Sequence, residues 1–330
     1  VAESMKEAVL AVLRAAGSGW VSGEELSQRL GVSRTAVWKQ MEVLRSAGYT
    51  LEAQPRLGYR LTGAPDSVTP DEVLPGLATR AFGRQIEYRE SVGSTNELAK
   101  QLARSGAPEG LLVLADEQTA GKGRLGRSWT TPRGSALAMS LVLRPELPPV
   151  LAPRITLVAA VAVAEAVREV TGLPAGIKWP NDLQLFGRKF CGILTEMDAE
   201  MERVAFVVCG MGLNVNMDRA DLPEAFREVA TSLKAEKGET FRRAPLVQAV
   251  MARFEDIYGR LTAGRFDQVL DRWRALSITL GQEVSALSMA GEPTLTGLAE
   301  DVDDDGALLI RTEDGILVRV MSGEVSLRPR

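Results

Sequence analysis

Histidine is absent from all 330 residues. That excludes Ser-His-Asp and Cys-His nucleophilic catalysis, His-ligated zinc and an imidazole general base. Chemistry must run on Lys, Arg, carboxylates and backbone amides. Cysteine is nearly absent: Cys191 and Cys209 are the only two, which fits a reducing cytoplasm rather than a disulfide scaffold. No apolar run reaches the ~18 residues that span a bilayer, and the longest, near Leu157–Ala164, falls short. Lys6 and Glu7 interrupt the N-terminal stretch, so no signal peptide is expected. Repeats and low-complexity segments are missing as well.

What is present is ordinary for a globular chain long enough for two or three domains: 45% apolar and 25% charged residues. The net charge of −4 is spread unevenly. Residues 1–63 hold 8 basic and 6 acidic side chains, residues 64–275 hold 27 of each, and residues 276–330 hold 4 basic and 10 acidic. A nucleic-acid contact therefore belongs to the first segment, although an excess of +2 does not establish one.

Apolar spacing predicts a helix over residues 5–16. Ser22, three before Glu25, opens a second as a capping box, and Ser33 caps a third that ends at Gly48. Residues 49–63 read as a hairpin with Gly58 near its turn. This is the winged helix-turn-helix order, and a linker rich in Pro and Gly follows it. From about residue 86 strand runs at 111–116, 136–143, 183–186, 191–197 and 205–215 mix with helices at 94–106, 154–172 and 246–264. The helices do not alternate regularly enough for repeated βαβ crossovers, so an α+β sheet is expected. After Trp273 closely spaced glycines and short strands predict a small β-barrel. The fold class is thus multidomain α+β, divided at 1–63, 64–275 and 276–330.

The stretch Gly121–Trp129 (GKGRLGRSW) holds three glycines and three cations in nine residues. It matches G-x-G-x-x-G and nearly matches a P-loop, but both need a following helix to receive the phosphate. Pro132 and Gly134 forbid one, and a strand follows. What remains is a loop whose backbone N–H groups and cations can meet an anion; a plain solvated basic loop is the alternative. The glycines cost chain entropy unless an anion orders them, which favours function. A second constellation is KWPND, Lys178–Asp182, followed by a turn at Gly187 that puts Lys189 at the start of a strand; an Asn-Asp turn and a Gly hairpin that need no ligand are the alternative. GMGLNVN, Gly210–Asn216, is a third; alone it reads as a strand ending in a Gly/Asn turn.

Together these motifs resemble the bacterial bifunctional (class II) biotin–protein ligase and biotin-operon repressor family. STN at Ser94–Asn96, QTAGKGRLGRSW from Gln118, KWPND, GRKFCGIL from Gly187 and GLNVN from Gly212 occur in that family's order and spacing, and the resemblance covers nearly the whole chain. It implies a biotin/lipoate-ligase-like catalytic domain with a mixed sheet and an SH3-like barrel after it. The implied reaction makes biotinyl-5'-AMP from biotin and ATP, with Mg2+ on the triphosphate. Biotin then passes to a lysine of the biotin carboxyl carrier protein of acetyl-CoA carboxylase.

By the resemblance, Ser94, Thr95 and Asn96 contact the biotin ring, Gln118, Lys122, Gly123 and Arg124 line its pocket, and Lys189 meets its carboxylate. Arg127, Trp129, Lys178, Asn181 and Asn214 hold the nucleotide. Arg124 and Lys189 offset phosphoryl charge. Asp182 either orients or deprotonates the carrier lysine, or orients the nucleotide or a neighbouring lysine. Lys122 stands where many relatives have Arg and cannot offer a fork. Ser94 fits a capping box with Glu97, which would draw its hydroxyl to the helix, and Cys191 reads as a small buried hydrophobe. In the winged helix, Ser33, Arg34, Thr35, Trp38 and Lys39 would enter a major groove of operator DNA, with Arg56 and Tyr59 in the wing; Trp38 can instead be core, and a vestigial or protein-binding winged helix is the alternative. The resemblance also implies a homodimer when the adenylate is bound. The rival readings are a lipoate or other acyl ligase, and a biotin-sensing repressor without ligase activity.

Overall fold

Serine starts two of the first three helices in the computed structural model, which describes residues 5–129, 131–200, 203–287, 293–321 and 324–327. Helix α1 (Met5–Ala15) is followed by α2 (Gly23–Leu30), capped by Ser22, whose hydroxyl accepts from Glu25 N, and closed by left-handed Gly31. Ser33 caps α3 (Arg34–Ser46) by accepting from Ala36 N. Each cap satisfies an orphan N–H and contributes about 1 kcal/mol. Strands β1 (Thr50–Gln54) and β2 (Gly58–Gly63) pair antiparallel. Val9, Leu10, Leu13, Leu26, Val37, Met41 and Leu44 fill the core beneath them. The chain divides into two compact units, Val1–Asp66, which is this one, and Ser67–Arg330.

The second unit begins with α4 (Pro70–Val73), then β3 (Ile86–Val92), α5 (Thr95–Arg104), β4 (Leu112–Gln118) and β5 (Ala136–Leu143). Next come α6 (Arg154–Thr171), β6 (Gly176–Lys178), β7 (Asp182–Leu185), β8 (Arg188–Glu200) and β9 (Arg203–Asn214). The seven strands form one mixed sheet in the order β3-β4-β5-β9-β8-β7-β6. Irregular alternation argued against crossovers, yet β3–α5–β4 is one: the two strands run parallel. All later pairings are antiparallel.

Helices cover both faces. Helix α5 lies on one, over Val113, Val142, Phe206 and Val208. On the other lie α6, α8 (Arg243–Thr262) and α9 (Phe266–Leu276), with the short α7 (Leu233–Lys237) before them. Every residue of α6 from Leu157 to Ala164 is buried, so that stretch lacks a polar face. An 18-residue stretch of this helix and its preceding turn has a mean hydropathy of 1.9, long and apolar enough to cross a membrane, beyond what run length suggested. Two-thirds of that span is buried inside the protein, as in the central helix of a core.

The last strands are β10 (Glu283–Leu287), β11 (Pro293–Val302), β12 (Leu308–Arg311), β13 (Leu317–Val320) and β14 (Glu324–Leu327). They form a five-stranded antiparallel sheet ordered β13-β12-β11-β10-β14, and among the described residues no pairing joins its two ends into a closed barrel. Val284, Ala299, Val302, Leu308 and Ile310 belong to the same apolar core as α6 and α9. The shift to short strands therefore comes at Leu276, after a helix that its apolar spacing had not made evident.

Candidate active site

Alternation along the central strands hollows out one face of the sheet. On β9, Val208 packs under α5, and the next residues on that face are Gly210, Gly212 and Asn214. Gly212 is in register with Ala138 of β5 and Gly192 of β8, and Gly192 with Asp182 of β7. The adjacent row runs Ser140, Gly210, Leu194. Small residues on β5, β9 and β8 leave a cavity of about 700 Å³, with Asp182 of β7 at its side. The glycines are required: a Cβ at Gly210 would stand 2.1 Å from Asn96 Oδ1, and one at Gly212 2.5 Å from Trp129 Nε1. Glycine inside a strand often marks such a close approach. GMGLN is thus the pocket floor, not only a strand end.

The start of α5 supplies one wall. Ser94 occupies the N-cap position but makes no side-chain cap bond, so the expected capping box with Glu97 does not form, and the buried Ser94 lines the cavity. Thr95 does not line it: its N–H donates to Gln118 Oε1 at 2.8 Å, and its hydroxyl lies 3.0 Å from the same oxygen. Asn96 reaches the cavity, and its amide donates to Leu194 O and Glu196 Oε2.

The glycine loop forms the lid side. Gly123 N donates to Arg127 O (2.7 Å) and Trp129 N to Gly121 O (2.8 Å), making a short hairpin with Arg124–Gly126 as a 3-10 turn. The next regular element among the described residues is strand β5 and not a helix, so the sequence grounds for rejecting a P-loop hold. The strict glycines are Gly121, where a Cβ would meet Trp129 O at 2.4 Å, and Gly126, with φ +74°. Gly123 is extended (φ −104°, ψ −177°), with room for a Cβ. Lys122 lines the cavity, but its ammonium is bound by Glu97 Oε1 at 2.8 Å. Lys100 also binds Glu97, and then Glu196. Hydrogen bonds from Lys122 and Lys100 lower the Glu97 pKa.

The KWPND hairpin faces this loop. Asn181 is clamped on β8, its Nδ2 donating to Ile193 O and its own O accepting from Ile193 N, and its Oδ1 accepts from Arg124 at 3.1 Å. Phe186 (φ 49°) and Gly187 (φ 80°) turn the chain into β8 as the hairpin reading required. Lys189 then lies with Nζ 2.6 Å from Asp182 Oδ1 and 5.6 Å from the Trp129 ring centre, a cation over an aromatic face.

Arg124, Arg127, Trp129, Lys178, Asn181, Asp182, Lys189 and Asn214 all line the one cavity. Sequence reading missed Gly192, Leu194, Gly210 and Gly212 as its floor; the G-x-G inside an apolar strand was the available signal. It also missed Leu287 from the C-terminal sheet, which lines the cavity, and Ser140 of the run ALAMSLVL, which does not line it but is fully buried behind Asn96, whose Oδ1 lies 2.6 Å from its hydroxyl. Burial pushes both thiols up, Cys209 to about 12, so Cys191 and Cys209 are core residues and not nucleophiles.

In the N-terminal unit, Ser33, Arg34, Thr35, Trp38, Lys39 and Arg56 are all exposed. Trp38 is 53% exposed and the core closes without it, which removes the core reading. The Ser33 hydroxyl serves the helix cap, and Arg34 is paired with Glu24 at 2.7 Å. Tyr59 is tied to Val21 by two backbone hydrogen bonds, anchoring the wing.

Residues 88–214 match the biotin/lipoate A/B protein ligase family, residues 6–60 an HTH domain, and residues 279–328 the biotin protein ligase C-terminal domain. Sheet, cavity and these matches define a biotin/lipoate-type protein ligase joined to a helix-turn-helix domain. The chain is 40% identical to the bifunctional ligase/repressor BirA of Bacillus subtilis, over 98% of this chain and 99% of that protein. It is 31% identical to the Escherichia coli protein of the same description, over 93% and 92%. A structure of biotin protein ligase from Aquifex aeolicus in complex with biotin and ATP superposes with a TM-score of 0.64 at 29% identity, covering 75% of this chain and all of that one. The chain belongs to the bifunctional biotin ligase/repressor family.

Proposed function

We propose that this chain activates biotin with ATP in the glycine-floored cavity and transfers it to a lysine of the biotin carboxyl carrier protein, while residues 1–63 bind operator DNA as an adenylate-promoted homodimer. Residues 64–275 carry the catalysis and 276–330 complete its wall. The observation that carries the reading is the convergence of the Gly121–Trp129 loop, Lys178–Asp182 and Lys189 on one cavity. The two buried free cysteines suit work in the cytoplasm.

In the first step a biotin carboxylate oxygen bonds to the α-phosphorus of ATP and diphosphate leaves. Both reactants are anions, so the barrier is charge. Arg124, held by Asn181, and Lys189, held between Asp182 and Trp129, are the cations that offset it. Each contributes about 3 kcal/mol, by comparison with removal of one oxyanion donor. In the second step the carrier's neutral lysine amine attacks the anhydride carbonyl, and AMP leaves with the bond pair. Asp182 Oδ1 is already taken by the Lys189 ammonium, which favours its role in orienting Lys189 over that of accepting the carrier's proton. The loop over the adenylate excludes water.

Incubation with labelled biotin, ATP, Mg2+ and a biotin carboxyl carrier domain should leave covalent label on the carrier. Label on a lipoyl domain with lipoate instead would support the acyl-ligase alternative. Adenylate without transfer would leave a biotin-sensing repressor.

A further inference from the structure

Between α5 and the centre of the sheet, the side chains of Gln118, Thr95, Ser140 and Asn96 form an unbranched string of polar contacts. The two ends cannot be reversed. Asn96 Nδ2 faces two acceptors, Leu194 O (3.1 Å) and Glu196 Oε2 (2.8 Å), so its Oδ1 must be the atom that meets Ser140. Gln118 Oε1 meets a backbone donor, Thr95 N at 2.8 Å, so it too is an acceptor. Between these ends lie three oxygen–oxygen contacts: Gln118 Oε1 to Thr95 Oγ1 at 3.0 Å, Thr95 Oγ1 to Ser140 Oγ at 2.8 Å, and Ser140 Oγ to Asn96 Oδ1 at 2.6 Å. Only the two hydroxyls supply protons.

Three contacts share two protons, so one contact is always without. Two facing lone pairs repel most where the oxygens are closest. The contact left empty is therefore the longest, that between Gln118 and Thr95. Both protons then point the same way, Thr95 to Ser140 and Ser140 to Asn96. Gln118 Oε1 keeps the Thr95 N–H and has one lone pair open, and Gln118 lines the cavity.

We propose that Ser140, fully buried and outside every sequence motif, is the positioning residue that draws the Thr95 proton away from Gln118 and so keeps Gln118 Oε1 open to a ligand N–H. The inference rests on reading the cavity as a biotin pocket, since the cyclic urea of biotin presents N–H donors. Without the Ser140 hydroxyl, the Thr95 proton has one acceptor left, Gln118 Oε1, and occupies the lone pair the ligand needs.

The test is the affinity of the full-length protein for biotin alone, followed by the KM for ATP, in wild type, Ser140→Ala, and Ser140→Ala with Thr95→Val. Biotin binding by the wild type reports on the pocket itself, and the order among the variants reports on Ser140. S140A should weaken biotin about tenfold, the usual cost of one blocked hydrogen bond to a buried group, with the KM for ATP unchanged. Adding T95V removes the intruding proton and should recover most of that loss. A double variant weaker than S140A, or an S140A with wild-type affinity, overturns the proposal, because a packing role gives losses that accumulate. If S140A does not fold, Ser140→Cys replaces it. A thiol is a poor acceptor, so S140C should show the same loss and the same rescue by T95V, and absence of either counts against Ser140.

Discussion

The two faces of the central sheet are built from the same strands and do opposite things. On β9, the residues facing α6 and α8 are Val207, Cys209, Met211 and Leu213, all within the largest core. Their neighbours, one position out of phase, are Val208, which packs under α5, Gly210, which lies against Asn96 at the start of α5, and Gly212 and Asn214, which line the cavity beyond it. One face stores stability and the other is emptied for a ligand. A period of two makes this possible: each strand carries two independent specifications.

The comparison breaks most sharply by filling the empty face. Gly210→Ala puts a Cβ 2.1 Å from Asn96 Oδ1. The displaced Asn96 should lower kcat/KM for biotin at least ~100-fold, the scale of a ~1 Å misplacement, with the circular dichroism spectrum retained. Emptying the full face should do the reverse. Leu141→Ala, within the α6-side core, should cost about 2–5 kcal/mol in urea unfolding and leave the KM for biotin within about threefold.

On the cavity side, Lys189→Ala should slow biotinyl-AMP formation at least ~10-fold with stability intact, read in single-turnover adenylation; an unchanged rate would remove Lys189 from the chemistry. In the loop, two glycines separate geometry from composition. Gly121→Ala meets Trp129 O at 2.4 Å and should speed adenylate release about tenfold, whereas Gly123→Ala has room and should change it less than ~3-fold. Equal effects would mean that the loop closes in another conformation.

The smallest effect is expected from pH. Lys122 and Lys100 hold the Glu97 carboxyl below its ordinary 4.5. Its tie to the loop is therefore fully present above 4.5 and is lost as pH falls through the depressed value. Hydrogen-exchange protection of residues 121–129, corrected for intrinsic rates, should be flat from pH 8 to 5 and decline below about 4.5.

The cation-bearing motifs were legible because the chemistry needs rare local combinations: Lys189 after a Gly187 turn, or three glycines alternating with cations. The floor was legible only in part. Gly210 and Gly212 stood out inside an apolar strand, but no local signal says that Gly192, twenty positions away, lies beside them; pairing register decides that. Ser94 shows the limit of local rules. A Glu three residues on predicts a capping box, yet Gln118, from a distant strand, caps that end of α5 through Thr95 N and leaves Ser94 facing the cavity. Helix α9 and the crossover β3–α5–β4 went unread because each is short and shares its core with elements far along the chain.

The register of the floor also fixes when it can exist. Gly192 and Gly212 belong to consecutive paired strands and lie 20 positions apart (212 − 192), but Ala138 must find Gly212 across 74 positions (212 − 138). Contacts of long separation carry the larger loop-closure cost and form later. During refolding the hairpin of β8 and β9 should gain exchange protection before β5 docks on it. The capacity to hold biotin should appear only with that docking, behind most of the secondary structure, so a ligand added early would find no pocket to stabilise.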